Sequence, residues 1–147
     1  MSTFVIVNTY THSVTYLSDN ILKSMKHLII MIGLDPAALI SDWNLFDRGL
    51  QTWIKSRHLE GATIEFYNKK TSALIFRWDF AIDYSYGSGG DGDFWVDSTP
   101  IKNAIYKEGI NTVNCAYDIK LKNKPGRPDV SGFSPCNYRS TEGFVRQ

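Results

Sequence analysis

The N-terminal third of the chain carries a helical pattern of apolar positions. Between residues 12 and 32, apolar side chains recur at spacings of three and four, which places them on one face of a helix. These side chains are Val14, Leu17, Ile21, Met25, Leu28 and Ile32. Gly33 follows directly, and glycine is a common residue at the end of a helix. The pattern predicts a helix over residues 12–32.

A second helical stripe follows the string DPAAL. Asp35 suits an N-cap position, and Pro36 suits the first helical position because its missing N–H is not needed there. The stripe consists of Leu39, Trp43, Phe46, Leu50 and Trp53. We therefore predict a second helix that ends at about Lys55.

The apolar period then changes from helical spacing to strict alternation. ATIEFY alternates apolar and polar residues, NKKTS is typical of a turn, and ALIFRWDFAIDYSY alternates six times. Residues 115–122 alternate again. We predict a hairpin with its first strand near residues 63–67, followed later by a third strand at residues 116–122.

Three further segments complete the order of elements. The leader TFVIVNTY resembles a strand, GSGGDGD breaks the long strand, and STPIKNAIYKEG reads as a helix capped by Thr99 and stopped by Gly109. Helices and antiparallel strands in separate blocks favour an α+β fold. We expect one domain over residues 1–147, with three helices packed on a small antiparallel sheet.

Composition and charge narrow the class of partner. Sixteen basic and fifteen acidic residues give a formal net charge of +1, so no general electrostatic attraction to nucleic acid or to a membrane surface is expected. Cys115 and Cys136 lie far apart and form no CxxC pair, which favours a reducing compartment. With no apolar run of membrane-spanning length and no signal-peptide pattern, the expected location is the cytoplasm.

Asp91 and Asp93 in GSGGDGD are the strongest candidates for catalysis. An Asp-x-Asp pair after Gly-Ser resembles the metal site of a nucleotide-handling enzyme. However, Gly92 stands between the carboxylates, where such sites normally have an apolar residue on a strand. A structural turn explains the loop better, since glycine and aspartate are common turn residues. The three histidines show no metal-ligand spacing, so neither a metal nor a cofactor is expected.

The final stretch, NKPGRPDVSGFSPCNYRSTEGFVRQ, differs from the rest of the chain. It contains three prolines and three glycines and has no helix or strand period, yet Phe133, Tyr138 and Phe144 remain to be buried. The cations in KNKPGR could contact phosphate, but a solvated hinge is the more common meaning of such a string.

Several strings together resemble one known family. YTHSVTYLSDNILKSMKHLI, DWNLFDRGLQTWIKSRHLE, GGDGDFWVD, KPGRPDVSGF and YRSTEGFVRQ are similar to the bacterial HORMA-domain proteins of CBASS antiphage operons. The resemblance runs from about Thr9 to Gln147. It implies a HORMA-like fold in which a C-terminal safety belt wraps around a short closure peptide.

The resemblance also implies a signalling adaptor without catalysis of its own. In such systems the closed HORMA protein binds and activates a cyclic-oligonucleotide synthase of the CD-NTase class, and a Pch-type AAA+ ATPase reopens it. Two other readings stay open, namely an enzyme that uses Asp91 and Asp93, and a peptide-binding module without a synthase partner.

By analogy with the family, the strand near residues 63–67 would be central in the sheet, and the long strand and the strand at residues 116–122 would form its two edges. Parts of the mechanism also fall on particular segments. Residues 1–10 would be an N-terminal arm that the ATPase pulls, residues 11–122 the core, and residues 123–147 the safety belt. The strand that receives the peptide would consist of Ala116, Tyr117, Asp118, Ile119, Lys120, Leu121 and Lys122. The hinge of the belt would consist of Pro125, Gly126, Arg127 and Pro128, and its apolar anchors would be Phe133, Tyr138 and Phe144.

The source of the closure peptide stays open at the sequence level. Some relatives carry a closure motif after the belt, whereas this sequence stops at Gln147. The peptide would then come from another protein or from a sister HORMA protein; otherwise the chain is a shortened one, or it does not close.

Overall fold

The computed structural model of the protein describes residues 2–8, 13–84 and 114–139. These residues form helices and strands in the order β1 (Ser2–Asn8), α1 (Val14–Met31), α2 (Ala37–Ser41), α3 (Trp43–Lys55), β2 (Leu59–Asn68), β3 (Leu74–Asp83) and β4 (Cys115–Asn123). The predicted α+β class is confirmed.

α1 forms where the first apolar stripe predicted it. The Ser13 side chain caps its start by accepting a hydrogen bond from the N–H of Tyr16 at 3.1 Å. At the other end, Gly33 has a φ of +92°, a conformation that glycine adopts without steric cost. The N–H groups of Gly33 and Leu34 donate back to Ile30 and Ile29, which is the Schellman pattern. The predicted stop at Gly33 is confirmed.

The prediction of one continuous second helix was wrong, because that stretch is divided at Asp42. Asp42 has φ −98° and ψ 11°, outside the helical region, so α2 ends and α3 begins there. The capping contact expected of Asp35 is present, since its Oδ1 accepts from the N–H of Ala37 at 2.9 Å. The helix starts one residue later than predicted.

The described strands form one sheet in the order β1, β3, β2, β4. β2 pairs antiparallel with both β3 and β4, so the predicted strand near residues 63–67 is central. β1 adds parallel to β3, with residues 2–8 opposite residues 77–83. The long strand β3 is therefore not an edge, which corrects the prediction, and β4 is the outermost strand on its side of the described sheet.

The core lies between the helices and one face of this sheet. Alternation along β2 and β3 buries Ala62, Ile64, Phe66, Phe76, Trp78 and Phe80 against apolar residues of α1 and α3. The opposite face carries polar side chains, among them Thr63 and Glu65 on β2. The alternating pattern thus predicted these six core residues correctly, whereas at the start of β3 the residue packed against the core is Ile75, which is out of phase with the alternation.

Some predicted features lie outside the described residues. They are the helix at residues 98–109, the loop with Asp91 and Asp93, and the end of the predicted belt, with Phe144.

Candidate functional site

The predicted receiving strand, residues 116–122, lies within β4. Tyr117, Ile119 and Leu121 pack against the core, whereas Asp118 and Lys120 belong to the opposite face. In the described part of the chain, the backbone partner of β4 is β2. Every second residue of an outer strand directs its N–H and C=O away from the sheet. β4 therefore offers an edge to which an extended segment can be added.

Residues 124–128 carry the chain away from β4. The N–H of Lys124 still donates to the carbonyl of His58 at 2.7 Å, and Gly126 then turns the chain with a φ of +82°. The indole Nε1 of Trp53 donates to the carbonyl of Pro128 at 2.7 Å, and the Arg127 guanidinium lies over the same ring at 4.9 Å. The predicted hinge residues thus form a turn, and the contacts of Arg127 and Pro128 with Trp53 attach the end of this turn to α3.

Phe133 packs on the helix-facing side of the sheet. Its ring meets Phe46 and Trp53 edge to face, with centroid separations of 6.0 and 4.9 Å. Gly49 of α3 lies beneath it, and a Cβ on Gly49 would lie 2.6 Å from Cζ of Phe133. The glycine therefore provides the space that the Phe133 ring fills.

Arg139 lies on the opposite face of the sheet and makes the most extensive polar contacts of the C-terminal segment. Its backbone N–H donates to Oε2 of Glu65 at 2.9 Å, and its Nη1 lies 3.0 Å from both Oε1 of Glu65 and Oδ2 of Asp118. The guanidinium also lies 3.6 Å from the centroid of the Tyr67 ring. Glu65 is 0% exposed and Arg139 is 9% exposed. The sequence analysis missed both residues.

Lys120 and Tyr138 extend this polar cluster. The Nζ of Lys120 lies 2.8 Å from Oε1 of Glu65 and also donates to the carbonyl of Asn137. Tyr138 is 36% exposed, its hydroxyl lies 3.3 Å from Oγ1 of Thr63, and Arg77 stacks on its ring at 4.6 Å. Tyr138 was expected to be an apolar anchor, but its contacts are a hydroxyl contact and a cation–π contact.

The C-terminal segment, residues 124–139, therefore passes around the edge of β4. Phe133 lies on the helix side of the sheet and Arg139 on the other side, so the residues between them cross outside the strand. A gap of about 560 Å³ separates Asp118–Asn123 of β4 from residues 132–136. Its helix side is lined by Leu45, Phe46 and Trp53. A volume of this size is typical of ligand-binding pockets.

The sequence as a whole matches a known domain. The family described as Bacterial HORMA domain 2 matches residues 1–147, the full sequence. The chain belongs to this family. No curated protein matches the chain. HORMA domains bind peptide partners and are generally adaptors without catalysis, which agrees with a gap that follows the edge of a strand.

The two thiols of the HORMA domain differ in environment. Cys115 begins β4 and is buried, and burial raises the pKa of its thiol although Lys69 acts in the opposite direction. Cys136 is exposed and lines the gap. A thiol with a raised pKa is a poor nucleophile, so reagents that attack thiolates should modify Cys136 first.

Within residues 2–8, 13–84 and 114–139, no group of three or more His, Cys, Asp or Glu side chains could hold a metal ion. Of the helices in those ranges, none has the length and hydropathy needed to cross a membrane.

Proposed function

We propose that this HORMA domain captures a closure peptide as an extra strand along β4, beneath residues 132–136. In the peptide-bound state it binds and activates a CD-NTase cyclic-oligonucleotide synthase in antiphage defence, and a Pch-type AAA+ ATPase reopens it. The observation that carries the proposal is the gap between the edge of β4 and a C-terminal segment that is fixed on both faces of the sheet.

β4 suits peptide addition better than the other edge of the described sheet, which β1 forms, because a gap beside β4 has room for a strand beneath residues 132–136. β1 pairs along residues 77–83 of β3, so an incoming strand cannot pair there without displacing it. Strand addition supplies main-chain hydrogen bonds from the sheet edge and specificity from pockets for alternate side chains. The part of β4 that lines the gap, Asp118–Asn123, matches a strand of about six residues, roughly 20 Å long.

Residues 123–147 act as the safety belt in this proposal. Ordering a chain costs roughly 1–2 kcal/mol per residue in backbone entropy, so a belt stays in place only where it gains contacts. Burial of Phe133 against Trp53 and pairing of Arg139 with Glu65 provide such contacts on opposite faces of the sheet. Between these two attachments, the belt can rise over a peptide.

The assignment of the synthase and the ATPase rests on the resemblance to the CBASS HORMA proteins. The N-terminal arm, residues 1–10, would be the handle on which the ATPase pulls. β1 has one described neighbour, β3, so removing it breaks one ladder of hydrogen bonds and leaves the pairing of β2 with β3 and β4 intact. The peptide would come from another protein or a sister HORMA protein, and the pathway would operate in the cytoplasm without direct contact with nucleic acid.

Reconstitution tests this function. The purified chain is mixed with a CD-NTase synthase and candidate HORMA peptides, and copurification and cyclic-oligonucleotide production are measured. We expect a peptide that slows amide exchange in Cys115–Asn123 also to raise synthase activity, and the ATPase to reverse both effects. Arg139→Ala should weaken peptide retention because the belt loses its attachment to Glu65, whereas Lys70→Ala, on the exposed β2–β3 turn, serves as the control.

The possible results separate the competing functions. Peptide capture without synthase binding would reject the adaptor role and leave a peptide-binding module. Synthase activation that needs no peptide and is unchanged by Arg139→Ala would reject the belt mechanism.

A further inference from the structure

A second, smaller hollow lies beside the gap along β4 and shares Phe46, Asp118 and Ile119 with its lining. This hollow measures about 80 Å³ and is lined by Ala38, Leu39, Asp42, Phe46, Tyr117, Asp118 and Ile119. The larger gap, beside residues 118–123, is lined on its helix side by the bulky residues Phe46, Trp53 and Phe133. The hollow beside Tyr117 has about 80 Å³ and the gap that reaches Asn123 has about 560 Å³. The space available to ligand side chains is therefore larger at the Asn123 end of β4.

The charge of the lining residues also differs between the larger gap and the smaller hollow. Lys122 and Arg127 line the wide end, where each forms a long, exposed ion pair, Lys122 with Glu60 at 3.8 Å and Arg127 with Asp129 at 3.7 Å. Exposed pairs of this kind are weak, so both cations can still attract an acidic ligand. Asp42 and Asp118 line the narrow end, and Asp118 also lines the larger gap. Asp42 precedes α3 without capping it through its side chain. Asp118 is paired with Arg139. The excess negative charge at this end is therefore that of Asp42.

We propose that the closure peptide is an extended segment with apolar residues at alternate positions, a large apolar residue and an acidic residue at the Lys122 end, and a small apolar residue and a basic residue at the Asp42 end. This inference rests on the proposed function, because it specifies the ligand of the same edge. Side chains of an added strand alternate between the two faces, so every second one enters the hollows on the helix side.

The charges fix the direction of the peptide more than its affinity. Exposed ion pairs contribute about 0.2–1 kcal/mol each, but complementary charges at an interface set the register and disfavour wrong arrangements. A peptide inserted in the reverse direction would place its acidic residue beside Asp42 and its basic residue beside Lys122. The polarity of β4 therefore selects one of the two directions in which a strand can add.

A peptide library tests this inference on the full chain. Random peptides of about nine residues, enough to span the six-residue edge with flanks, are displayed on phage and selected on the wild type. A variant with Asp42→Lys and Lys122→Glu keeps the net charge but reverses the polarity. The matched control, Asp19→Lys with Lys23→Glu, swaps an exposed ion pair on α1.

We expect the wild type and the α1 control to enrich the same order of acidic and basic residues, and the polarity variant to enrich the reverse order. Synthetic peptides of the two orders should differ in affinity by about three- to tenfold, and added salt should reduce the difference. If the polarity variant does not fold, Asp42→Asn with Lys122→Gln should abolish the preference.

Failure of this inference can be distinguished from failure of the proposed function. If the wild type enriches peptides without a charge order or a size gradient, or if the variants keep the wild-type order, the inference is overturned while peptide binding stands. If no sequence is enriched by the wild type, both are overturned.

Discussion

At the scale of single residues, the most demanding group in the molecule is the carboxylate of Glu65. A buried charge is tolerated when it is paired and hydrogen-bonded. Glu65 receives the backbone N–H and the guanidinium of Arg139 and the ammonium of Lys120. Two of these three contacts come from the C-terminal segment, so the position of that segment decides whether the carboxylate is satisfied.

Replacement of Arg139 by Gln should loosen the C-terminal segment. Breaking a buried ion pair costs about 3–5 kcal/mol when one partner is left alone, and since Lys120 still contacts Glu65, we expect a loss of about 2–3 kcal/mol in the free energy of unfolding. Urea unfolding and amide exchange over residues 127–139 measure this. Arg139→Lys should be intermediate because an ammonium can contact Glu65 and Asp118 but cannot reproduce the stacking of the planar guanidinium on the Tyr67 ring. Unchanged exchange in Arg139→Gln would refute the role given to this residue.

Tyr84 should make the stability of the protein depend on alkaline pH. Burial raises the pKa of Tyr84 from 10.0 to about 12, although the nearby Arg57 guanidinium acts in the opposite direction. Between pH 10 and 12 the unfolded chain has lost this proton and the folded chain retains it, so stability falls as pH rises through that window. Urea unfolding across the window should show a shallower decline for Tyr84→Phe, which loses the hydrogen bond to the Leu59 carbonyl and about 1 kcal/mol at neutral pH.

At the scale of elements, α3 and the C-terminal segment fit each other at one glycine. Glycine inside a helix costs about 1 kcal/mol relative to alanine, yet Gly49 lies in the middle of α3 and is buried. The cost is explained by Phe133, whose ring occupies the place of the missing Cβ.

The effect of Gly49→Ala should therefore change sign with the residue at position 133. In the wild type, we expect the alanine to displace Phe133 and to lower the free energy of unfolding by about 1–2 kcal/mol, as overpacking does. In a Phe133→Ala background the remaining tight contact is with Cδ1 of Leu121 at 3.3 Å, a side-chain end that can shift, and the same substitution should stabilise the protein by about 1 kcal/mol. Thermal unfolding of the four proteins in this cycle gives the answer. The same sign in both backgrounds would show that Phe133 does not occupy that place.

The alternating and helical patterns predicted the elements, but not the contacts between distant segments. The period-two pattern placed Ile64, Phe66 and Trp78 in the core, and Gly33 marked a helix end. The division at Asp42 was missed because the apolar stripe continues through it without a change of period. Arg139 and Glu65 were missed because burial of a polar strand face depends on a segment 74 residues away, which no local pattern records.

At the scale of the whole molecule, the first and the last described segments of the chain lie at opposite edges of the sheet. β1 pairs with β3, and the C-terminal segment crosses outside β4. Exposed strand edges are templates for pairing with other chains. β1 forms backbone hydrogen bonds with β3 directly, whereas the C-terminal segment is separated from β4 by a gap. The gap beside β4 leaves room for an additional strand between that edge and the C-terminal segment.

Deletion of residues 1–8 should make the protein associate with itself through β3. The hairpin, β4 and the helices keep their contacts in the shortened chain, but residues 77–83 of β3 lose their parallel partner, and an unpaired edge strand favours pairing with a second copy. Sedimentation velocity over a range of concentrations should show dimers that the full chain does not form. Ala81→Lys in the shortened chain should reduce association, because a lysine on an edge strand opposes pairing. A shortened chain that stays monomeric at all concentrations would show that β1 is not needed to protect that edge.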